Sequence, residues 1–275
     1  MLECVVRKQK EMSAALTIAG SDSGGGAGIQ ADLKTFAALG VHGTSALTCV
    51  TAQNPTRVKG IEPCSAKIVR GQIEAVFEQV PPQAVKTGML FSAEIIRAVA
   101  RWFSHRRRCP LVVDPVMIAT SGAKLLEASA IRALTHDLFP LATLVTPNVP
   151  EAEALLGILI REPENLRTAA RRMHECFGCA ALVKGGHLRN ISEAIDIFYD
   201  GKVELLLRSP RVRGVSTHGT GCTYSAAITA HLARGETLEG AVKRAKEFIT
   251  HAIGTSRHVR GHDVLNQSAP PRQLA

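Results

Sequence analysis

Short apolar runs alternate along the chain with longer segments in which apolar residues recur every three or four positions. The first run, residues 14–19, ends at a glycine, and a segment with helical spacing follows at residues 29–39. A short apolar run bounded by turn residues is typical of a buried strand, and a 3.6-residue period predicts an amphipathic helix. Because this order repeats, the pattern predicts an α/β fold with a mainly parallel central sheet and helices on both faces.

The pattern also predicts the extent of each element. Predicted strands cover residues 14–19, 45–51, 84–87, 111–113, 142–145, 180–183, 194–199 and 203–207. Predicted helices cover residues 29–39, 66–80, 93–104, 129–138, 151–156, 163–177, 223–233 and 238–255. Asp200-Gly201 predicts a two-residue hairpin turn. No linker divides the chain, so we expect one domain at residues 14–265, with tails at 1–13 and 266–275.

Composition narrows the class of protein. The 275 residues are 45% hydrophobic, which suits one large core. No apolar run approaches the ~18 residues that span a bilayer, and the first 13 residues lack a secretory core, so we expect no membrane partner. Seven scattered cysteines favour a reducing cytoplasm over a disulfide framework. A redox or zinc role for the pair at Cys176 and Cys179 has little support, because no second pair exists.

Charge leaves two kinds of partner open. The net charge of +9 fits acidic ligands or a nucleic-acid surface equally well. However, no aromatic residues interleave with the basic run at residues 105–108, as a binder of single strands would require. We therefore expect no nucleic-acid partner.

A glycine-rich stretch near the C-terminal end, Ser-Thr-His-Gly-Thr-Gly-Cys-Thr-Tyr-Ser at residues 216–225, precedes an apolar helical segment. Gly219 and Gly221 allow a tight turn, and the helix start leaves backbone N–H groups free to bind an anion such as phosphate. Cys222 falls in the first turn, where the helix dipole is expected to lower the thiol pKa. The alternative is a plain turn that opens a helix.

A second glycine cluster, residues 20–28, contains a sequence that fits the dinucleotide fingerprint G-x-G-x-x-A. That fingerprint also requires an acidic residue at the end of the next strand, where this chain has Thr51-Ala-Gln-Asn54. A Walker A lysine is absent too. Polar residues instead follow successive predicted strands, at the edge where open α/β sheets bind ligands. A cleft with an acceptor at one end and a phosphate loop at the other suits phosphoryl transfer.

The sequence of residues 20–36 closely resembles the opening motif of the hydroxymethylpyrimidine and hydroxymethylpyrimidine-phosphate kinases of thiamine biosynthesis, a branch of the ribokinase-like fold. Further matches run in family order. They lie at residues 51–54, 86–90, 113–117, 121–122, 146–152, 183–187 and 218–223. The chain departs from many relatives at Thr120, where they have Lys, which removes one phosphate contact. The resemblance implies a three-layer αβα sandwich.

The resemblance also implies roles at the acceptor end. Asp32 and Gln53 would hydrogen-bond the aminopyrimidine. Gly20, Ala27, Met89 and Val116 would pack around it. Each polar residue has a structural alternative, since Asp32 could cap or solvate its helix and Gln53 could pair with backbone.

At the other end, Asn148 and Glu151 resemble the family's magnesium-linked pair, with Asp114 nearby. Lys184 would neutralise nucleotide phosphates, and Gly219, Thr220, Gly221 and Cys222 would form the anion hole. The alternatives are a capping box at Asn148 and Glu151, a strand end at Asp114 and a surface position for Lys184.

Cys222 stands where most sugar kinases of this fold carry an aspartate as general base. A thiolate there could take the proton from a hydroxymethyl group, whereas a phosphate monoester acceptor needs no base. The alternative is that Cys222 only packs while backbone N–H groups stabilise the transferred phosphoryl group.

The implied function is ATP- and Mg²⁺-dependent phosphorylation of 4-amino-5-hydroxymethyl-2-methylpyrimidine and then of its monophosphate, with room for a monovalent cation. The implied setting is a cytoplasmic homodimer, and residues 209–217 are the candidate for a mobile cover. A pyridoxal kinase on the same scaffold is the nearest alternative, and a non-catalytic pyrimidine sensor is another.

Overall fold

The computed structural model describes residues 11–105, 109–117, 126–186, 188, 192–212, 214–215 and 218–268. Some predicted features therefore lie outside the described residues. They are Thr120, the match at residues 121–122, His187, part of the candidate cover at residues 209–217, and most of both predicted tails.

Strands and helices alternate through most of the chain. The strands are β1 (Ala14–Asp22), β2 (His42–Asn54), β3 (Arg57–Pro63), β4 (Ala84–Thr87), β5 (Leu111–Val113), β6 (Leu144–Val145), β7 (Ala180–Lys184), β8 (Glu193–Tyr199), β9 (Glu204–Pro210), β10 (Arg257–Val259) and β11 (His262–Val264). The helices are α1 (Gly28–Ala38), α2 (Ala66–Gln79), α3 (Ala93–His105), α4 (Ala128–Ala133), α5 (Val149–Leu156), α6 (Pro163–Phe177), α7 (Thr220–Ala233) and α8 (Leu238–Gly254).

The main sheet, within the described ranges, has nine strands in the order β3-β2-β1-β4-β5-β6-β7-β8-β9. From β2 to β7 neighbouring strands pair in parallel. The strands at the two edges are antiparallel. The central strands β4 and β5 are fully buried and short, as expected where helices cover both faces of a parallel sheet. The predicted α/β class and mainly parallel sheet are confirmed.

Apolar side chains form a separate core on each face of the sheet. One core joins β-strand residues to α2, α3 and α4, with Ile73, Ile96 and Phe139 among its fully buried members. The core on the other face joins α1, α7 and α8 through Phe36, Ile228 and other side chains. Helix α7 is buried from Thr223 to Ala233, so packing on all sides fixes where its N-terminus lies against the sheet.

Two strand pairings have no counterpart in the sequence prediction. Strand β3 pairs with β2 at one edge of the sheet, and its residues are mostly exposed. β10 pairs with β11 in a small separate hairpin. Both lack a run of apolar residues, because an exposed edge strand buries little surface and its charged side chains face solvent.

Two predicted elements differ in detail. The predicted helix at 129–138 is α4 followed by one π-helical turn, Leu134–Leu138. The predicted hairpin at Asp200-Gly201 is confirmed as the β8–β9 pair, but its loop is longer. Tyr199 pairs with Glu204, so the loop has four residues, and Asp200 Oδ1 accepts hydrogen bonds from the backbone of Lys202 and Val203.

The predicted C-terminal tail begins inside the fold. Asn266 and Gln267 are buried, and Gln267 Nε2 donates to Gly26 O and to Thr223 Oγ1. The boundary at residue 265 is therefore too early. Among the described helices, none combines the length and apolarity needed to cross a bilayer.

Candidate functional site

A cavity of about 770 Å³ opens at the carboxyl ends of the parallel strands, where open α/β sheets bind their ligands. Nearly all the predicted site residues line it. They are Gly20, Ala27, Gln53, Met89, Asp114, Val116, Asn148, Glu151, Lys184, Gly219, Thr220, Gly221 and Cys222. The structure therefore brings together residues that the sequence scatters over 200 positions. Asp32 is the exception and does not line the cavity.

Residues 219–222, here called the anion loop, form the start of α7. Gly219 has a positive φ of 81°, a conformation that glycine adopts at little cost. It also touches the first glycine cluster, because a Cβ at this position would overlap the carbonyl oxygen of Gly26. Both the positive φ and this close contact therefore require glycine at residue 219. The N–H groups at the start of α7 are available to an anion in the cavity.

Cys222 is partly exposed and faces the cavity. Burial raises the pKa of its thiol to about 11, Lys86 opposes this shift, and Asp32 and Asp114 add to it. The predicted lowering of the pKa is therefore wrong. The helix terminus and one buried ammonium do not offset the lost hydration of a thiolate beside two carboxylates.

Lys184 lies at the end of β7, and its ammonium is 2.9 Å from Asp114 Oδ1. Its side chain is only 13% exposed, which excludes the surface alternative. Burial opposes a charged ammonium, but Asp114 and Glu151 raise the pKa of Lys184. A Cβ on Gly221 would lie 3.2 Å from its Nζ. A permanent cation therefore stands beside the anion loop.

Asp114 follows β5 and accepts hydrogen bonds from Thr146 and Ser225 besides the contact with Lys184. Burial alone would raise the pKa of Asp114, but Lys184, Lys86 and these hydrogen bonds hold it below its usual range. Asp114 is therefore an ionised carboxylate beside two lysines, Lys184 and Lys86, and it does more than end a strand.

Asn148 and Glu151 form a capping box at the start of α5. Asn148 Oδ1 accepts from the Glu151 N–H at 2.9 Å, and Glu151 Oε2 accepts from the Asn148 N–H at 2.9 Å. Glu151 Oε1 accepts a third bond from the N–H of Met117. Burial raises the pKa of Glu151, Lys184 opposes this, and Asp114 adds to it. The structural alternative is present, and it leaves both side chains on the cavity wall.

This oxygen-rich wall fits a hydrated divalent cation better than a closed metal cage. Among the described residues no three His, Cys, Asp or Glu side chains converge on one point. Mg²⁺ typically keeps several waters and uses one or two carboxylates together with substrate phosphates. Asp114, Asn148 and Glu151 suit that kind of contact.

Gln53 lies at the opposite end of the cavity, near the end of β2. Its backbone N–H and C=O are both bonded to the Ser23 hydroxyl. Its side-chain amide contacts Thr51 and His218 at 3.4 Å. The backbone hydrogen bonds of Gln53 are thus made by Ser23, and the described contacts of its amide are to side chains. The alternative in which this amide pairs with backbone is not what the structure shows.

Asp32 lies on α1 with its carboxylate turned into the protein, so direct contact with an acceptor in the cavity is not its role in this structure. Its side chain is 0% exposed, and its two oxygens bond Lys86 Nζ at 2.7 Å and the Thr17 hydroxyl at 2.6 Å. The capping and solvation alternatives are excluded as well. Asp32 holds Lys86, a cavity residue that the sequence prediction missed.

Lys86 could have been noticed in the sequence, because a lysine within the buried strand Ala-Val-Lys-Thr needs a partner. Burial opposes its charge, but Asp32, Cys222 and Asp114 raise its pKa. The ammonium therefore stays charged beneath the cavity floor.

Val116 has a strained backbone where it lines the cavity. Its φ is 42°, which is unusual for a β-branched residue and is tolerated only where the surroundings impose it. The adjacent Met117 N–H is held by Glu151. Strain of this kind clusters at functional sites, which supports the predicted position of Val116 against a ligand.

Asp22 and His218 form a second pair that the sequence prediction missed. Asp22 ends β1, and its carboxylate accepts from the N–H groups of Gly24, Gly26 and Ala27 and from His218 Nε2 at 3.0 Å. Burial alone would raise the pKa of Asp22, but these hydrogen bonds hold it below its usual value. A carboxylate that stays ionised can only accept, so His218 Nε2 carries the proton.

The comparisons of this chain with known proteins agree on one family. The model of the family described as "Phosphomethylpyrimidine kinase" matches residues 22–266. The chain is 49% identical over 262 residues to the hydroxymethylpyrimidine/phosphomethylpyrimidine kinase of Haemophilus influenzae, covering 94% of this chain and 97% of that protein.

Two further relatives differ in length or in name. The thiamine biosynthesis bifunctional protein ThiED of Geobacter sulfurreducens is 50% identical over 252 residues. The match covers 91% of this chain but about half, 51%, of that longer protein. The structure of Bacillus subtilis pyridoxal kinase in complex with ADP superposes with a TM-score of 0.87 at 38% identity, covering 94% of this chain and 98% of that one.

Proposed function

Because the chain belongs to the phosphomethylpyrimidine kinase family, we propose that it transfers phosphate from ATP to 4-amino-5-hydroxymethyl-2-methylpyrimidine and then to the resulting monophosphate. One observation carries the proposal: a single cavity is lined by Gln53 at the end of β2 and by Lys184 at the end of β7, and the anion loop lies between them. Transfer requires that acceptor and donor be held in line within one site.

Each end of the cavity has a defined task in this mechanism. The amide of Gln53 hydrogen-bonds the aminopyrimidine, and Gly20, Ala27, Met89 and Val116 surround the ring. Lys184 binds the nucleotide phosphates. The N–H groups of Thr220, Gly221 and Cys222 stabilise the migrating phosphoryl group, which is most of what catalysis of such a transfer requires.

Mg²⁺ is part of the proposal. When bound, it neutralises charge on the nucleotide phosphates. Asp114, Asn148 and Glu151 would hold it on the cavity wall, and Lys184 keeps Asp114 ionised for that purpose. Omitting Mg²⁺ should abolish turnover, and comparing K⁺ with Na⁺ buffers tests the proposed monovalent cation.

We also propose a cytoplasmic homodimer. The six cysteines among the described residues are free, which supports a reducing compartment. Light scattering of the purified protein would test the dimer, and a monomeric mass would refute it.

An assay of ADP release with each acceptor separately tests the function. We expect turnover with the hydroxymethylpyrimidine and with its monophosphate, and mass spectrometry should detect the diphosphate as the final product. A sample purified in the same way from cells that lack the gene serves as the control for contaminating kinases. Absence of transfer to any acceptor would refute the proposal and favour a binding protein.

A pyridoxal kinase activity is the second candidate, supported by the superposition with the pyridoxal kinase of Bacillus subtilis. Pyridoxal also carries a ring hydroxymethyl group that the same cavity could orient. Turnover of pyridoxal with no turnover of either pyrimidine would replace the first proposal with this one.

A further inference from the structure

Two glycine-rich segments, one from each end of the chain, meet at the cavity. One is residues 20–28, here called the acceptor loop, and the other is the anion loop. Gly26 and Gly219 are in such close contact that a Cβ on Gly219 would overlap Gly26 O. A Cβ on Gly26 would lie 2.9 Å from His218 Cδ2. The fit between the loops therefore leaves no room for a side chain on either glycine.

His218 directly precedes the anion loop and lies over this contact. Its Nε2 is 3.0 Å from Asp22 Oδ2 and 3.4 Å from Gln53 Nε2. The ring thereby touches the ends of β1 and β2 while its backbone leads into α7. Its side chain is only 18% exposed, and that of Asp22 is 4% exposed. The hydrogen bond between them is thus largely shielded from competing solvent.

Asp22 is itself fixed by the acceptor loop. Its carboxylate accepts the N–H groups of Gly24, Gly26 and Ala27, and its own N–H donates to Gln30 Oε1. The bond from His218 is therefore made to an immobile acceptor. A bond of this kind transmits position, because Asp22 cannot move without breaking its other hydrogen bonds.

We infer that His218 is a positioning residue, which through its bond to Asp22 sets the distance and angle between the anion loop and the acceptor end of the cavity. The inference rests on the proposed function for which substrate lies at each end. His218 makes no proton transfer in this account. It keeps the N–H groups of the anion loop aimed at the point where the acceptor oxygen meets the transferred phosphoryl group.

Comparing His218→Gln with His218→Asn distinguishes a positioning role of His218 from a general loss of structure. In His218→Gln the side-chain N–H can stand near the position of the imidazole Nε2, whereas in His218→Asn it stands near Nδ1 and does not reach Asp22. We expect His218→Ala and His218→Asn to lower kcat by about 10–100-fold, the effect of misplacing reacting groups by about 1 Å. His218→Gln should recover most of kcat. KM for ATP should stay nearly unchanged in all three.

His231 provides a matched control on the same helix. Its Nδ1 pairs with Glu236 at 2.8 Å, its side chain is 5% exposed, and it lies at the opposite end of α7 from the cavity. His231→Ala should lower thermal stability but leave kcat and both KM values close to those of the wild type.

A second measurement needs neither substrate nor turnover. Alkylation of Cys222 by iodoacetamide, followed by peptide mass spectrometry, reports how firmly the anion loop is held. We expect the rate at Cys222 to rise several-fold in His218→Ala and in Asp22→Asn, and to stay unchanged in His231→Ala. This arm decides the inference even if the proposed acceptors prove wrong.

Two results would overturn the inference. One is a wild-type alkylation rate at Cys222 in His218→Ala, whatever the kcat of that variant. The other is His218→Asn recovering activity as well as His218→Gln, since the bond to Asp22 would then not be what the residue supplies.

Discussion

At the scale of single residues, Cys222 illustrates a competition between a helix terminus and burial. A helix N-terminus favours an anion in its first turn, but the site also removes water from the thiol and places carboxylates near it. With a pKa of about 11, on the order of one thiol in 10⁴ is ionised at pH 7. A resting thiolate is therefore a minor species. Phosphoryl transfer through a loose transition state has little need of one.

Cys222→Ala is accordingly expected to slow both phosphorylations by similar factors, through a change in the shape of the anion loop. Each step is measured separately by ADP release, with the hydroxymethylpyrimidine or its monophosphate as acceptor. If Cys222 were a general base, the result would differ. Cys222→Ala would then lower the rate of the first phosphorylation only, by ~10²–10⁴-fold, and in the wild type the rate of that step would rise with pH.

Gln53 and Lys184 lie at opposite ends of the cavity, so substitution of each should change the KM of a different substrate. Gln53→Ala should raise KM for the pyrimidine by about 10-fold, as expected for the loss of a hydrogen bond of ~1.4 kcal/mol, with little change in KM for ATP. Lys184→Ala should do the reverse. Steady-state kinetics with each substrate varied checks this. Equal weakening of both substrates by either change would contradict the assignment.

At the scale of elements, the turn after β7 is held by a buried ion pair from two other elements. The Gly185 N–H donates to Asp196 Oδ1 on β8, and Asp196 Oδ2 bonds Lys246 Nζ of α8 at 2.7 Å. A Cβ on Gly185 would overlap Ile195 O, so the turn packs directly on the β8 backbone. Helix α8 and strand β8 thereby determine where Lys184 points.

Asp196→Asn should destabilise the protein strongly, because it leaves the Lys246 ammonium buried without its counter-ion. Removal of one partner from such a pair typically costs about 3–5 kcal/mol. Thermal unfolding would measure this. The double variant Asp196→Asn with Lys246→Met should be more stable than Asp196→Asn alone, and a double variant that is worse would contradict the account.

The elements show which features a sequence pattern can predict. Strands buried on both faces and helices with one apolar face follow from local periodicity, so their order was predictable. Strand β3 was not, because its stability comes from pairing with β2 rather than from burial. The same limit applies to the site. Asp22 and His218 are 196 positions apart, and nothing local indicates that they meet. Asp32 was misassigned because its partner, Lys86, is likewise distant.

At the scale of the whole molecule, the ionised Asp22 links stability to pH. Its folded-state pKa lies below the ordinary value of 3.8. A carboxyl group with a depressed pKa contributes stability above its unfolded pKa and loses that contribution as the pH falls through the folded one. Thermal midpoints of wild type and Asp22→Asn should therefore differ at pH 7 and converge below about pH 4. A difference that stays constant at acid pH would refute this linkage.

Gln267 has a consequence for how the protein is made. Its amide bonds Gly26 O, 241 positions earlier in the chain, and the Thr223 hydroxyl near the start of α7. During synthesis the acceptor loop emerges long before Gln267, so this contact cannot form until the 241 positions that separate Gly26 from Gln267 have been translated. Such non-local closure is slow relative to local folding. The nascent chain can build the strands and helices between them first, but the acceptor loop and the start of α7 can be joined through this amide only after Gln267 has emerged.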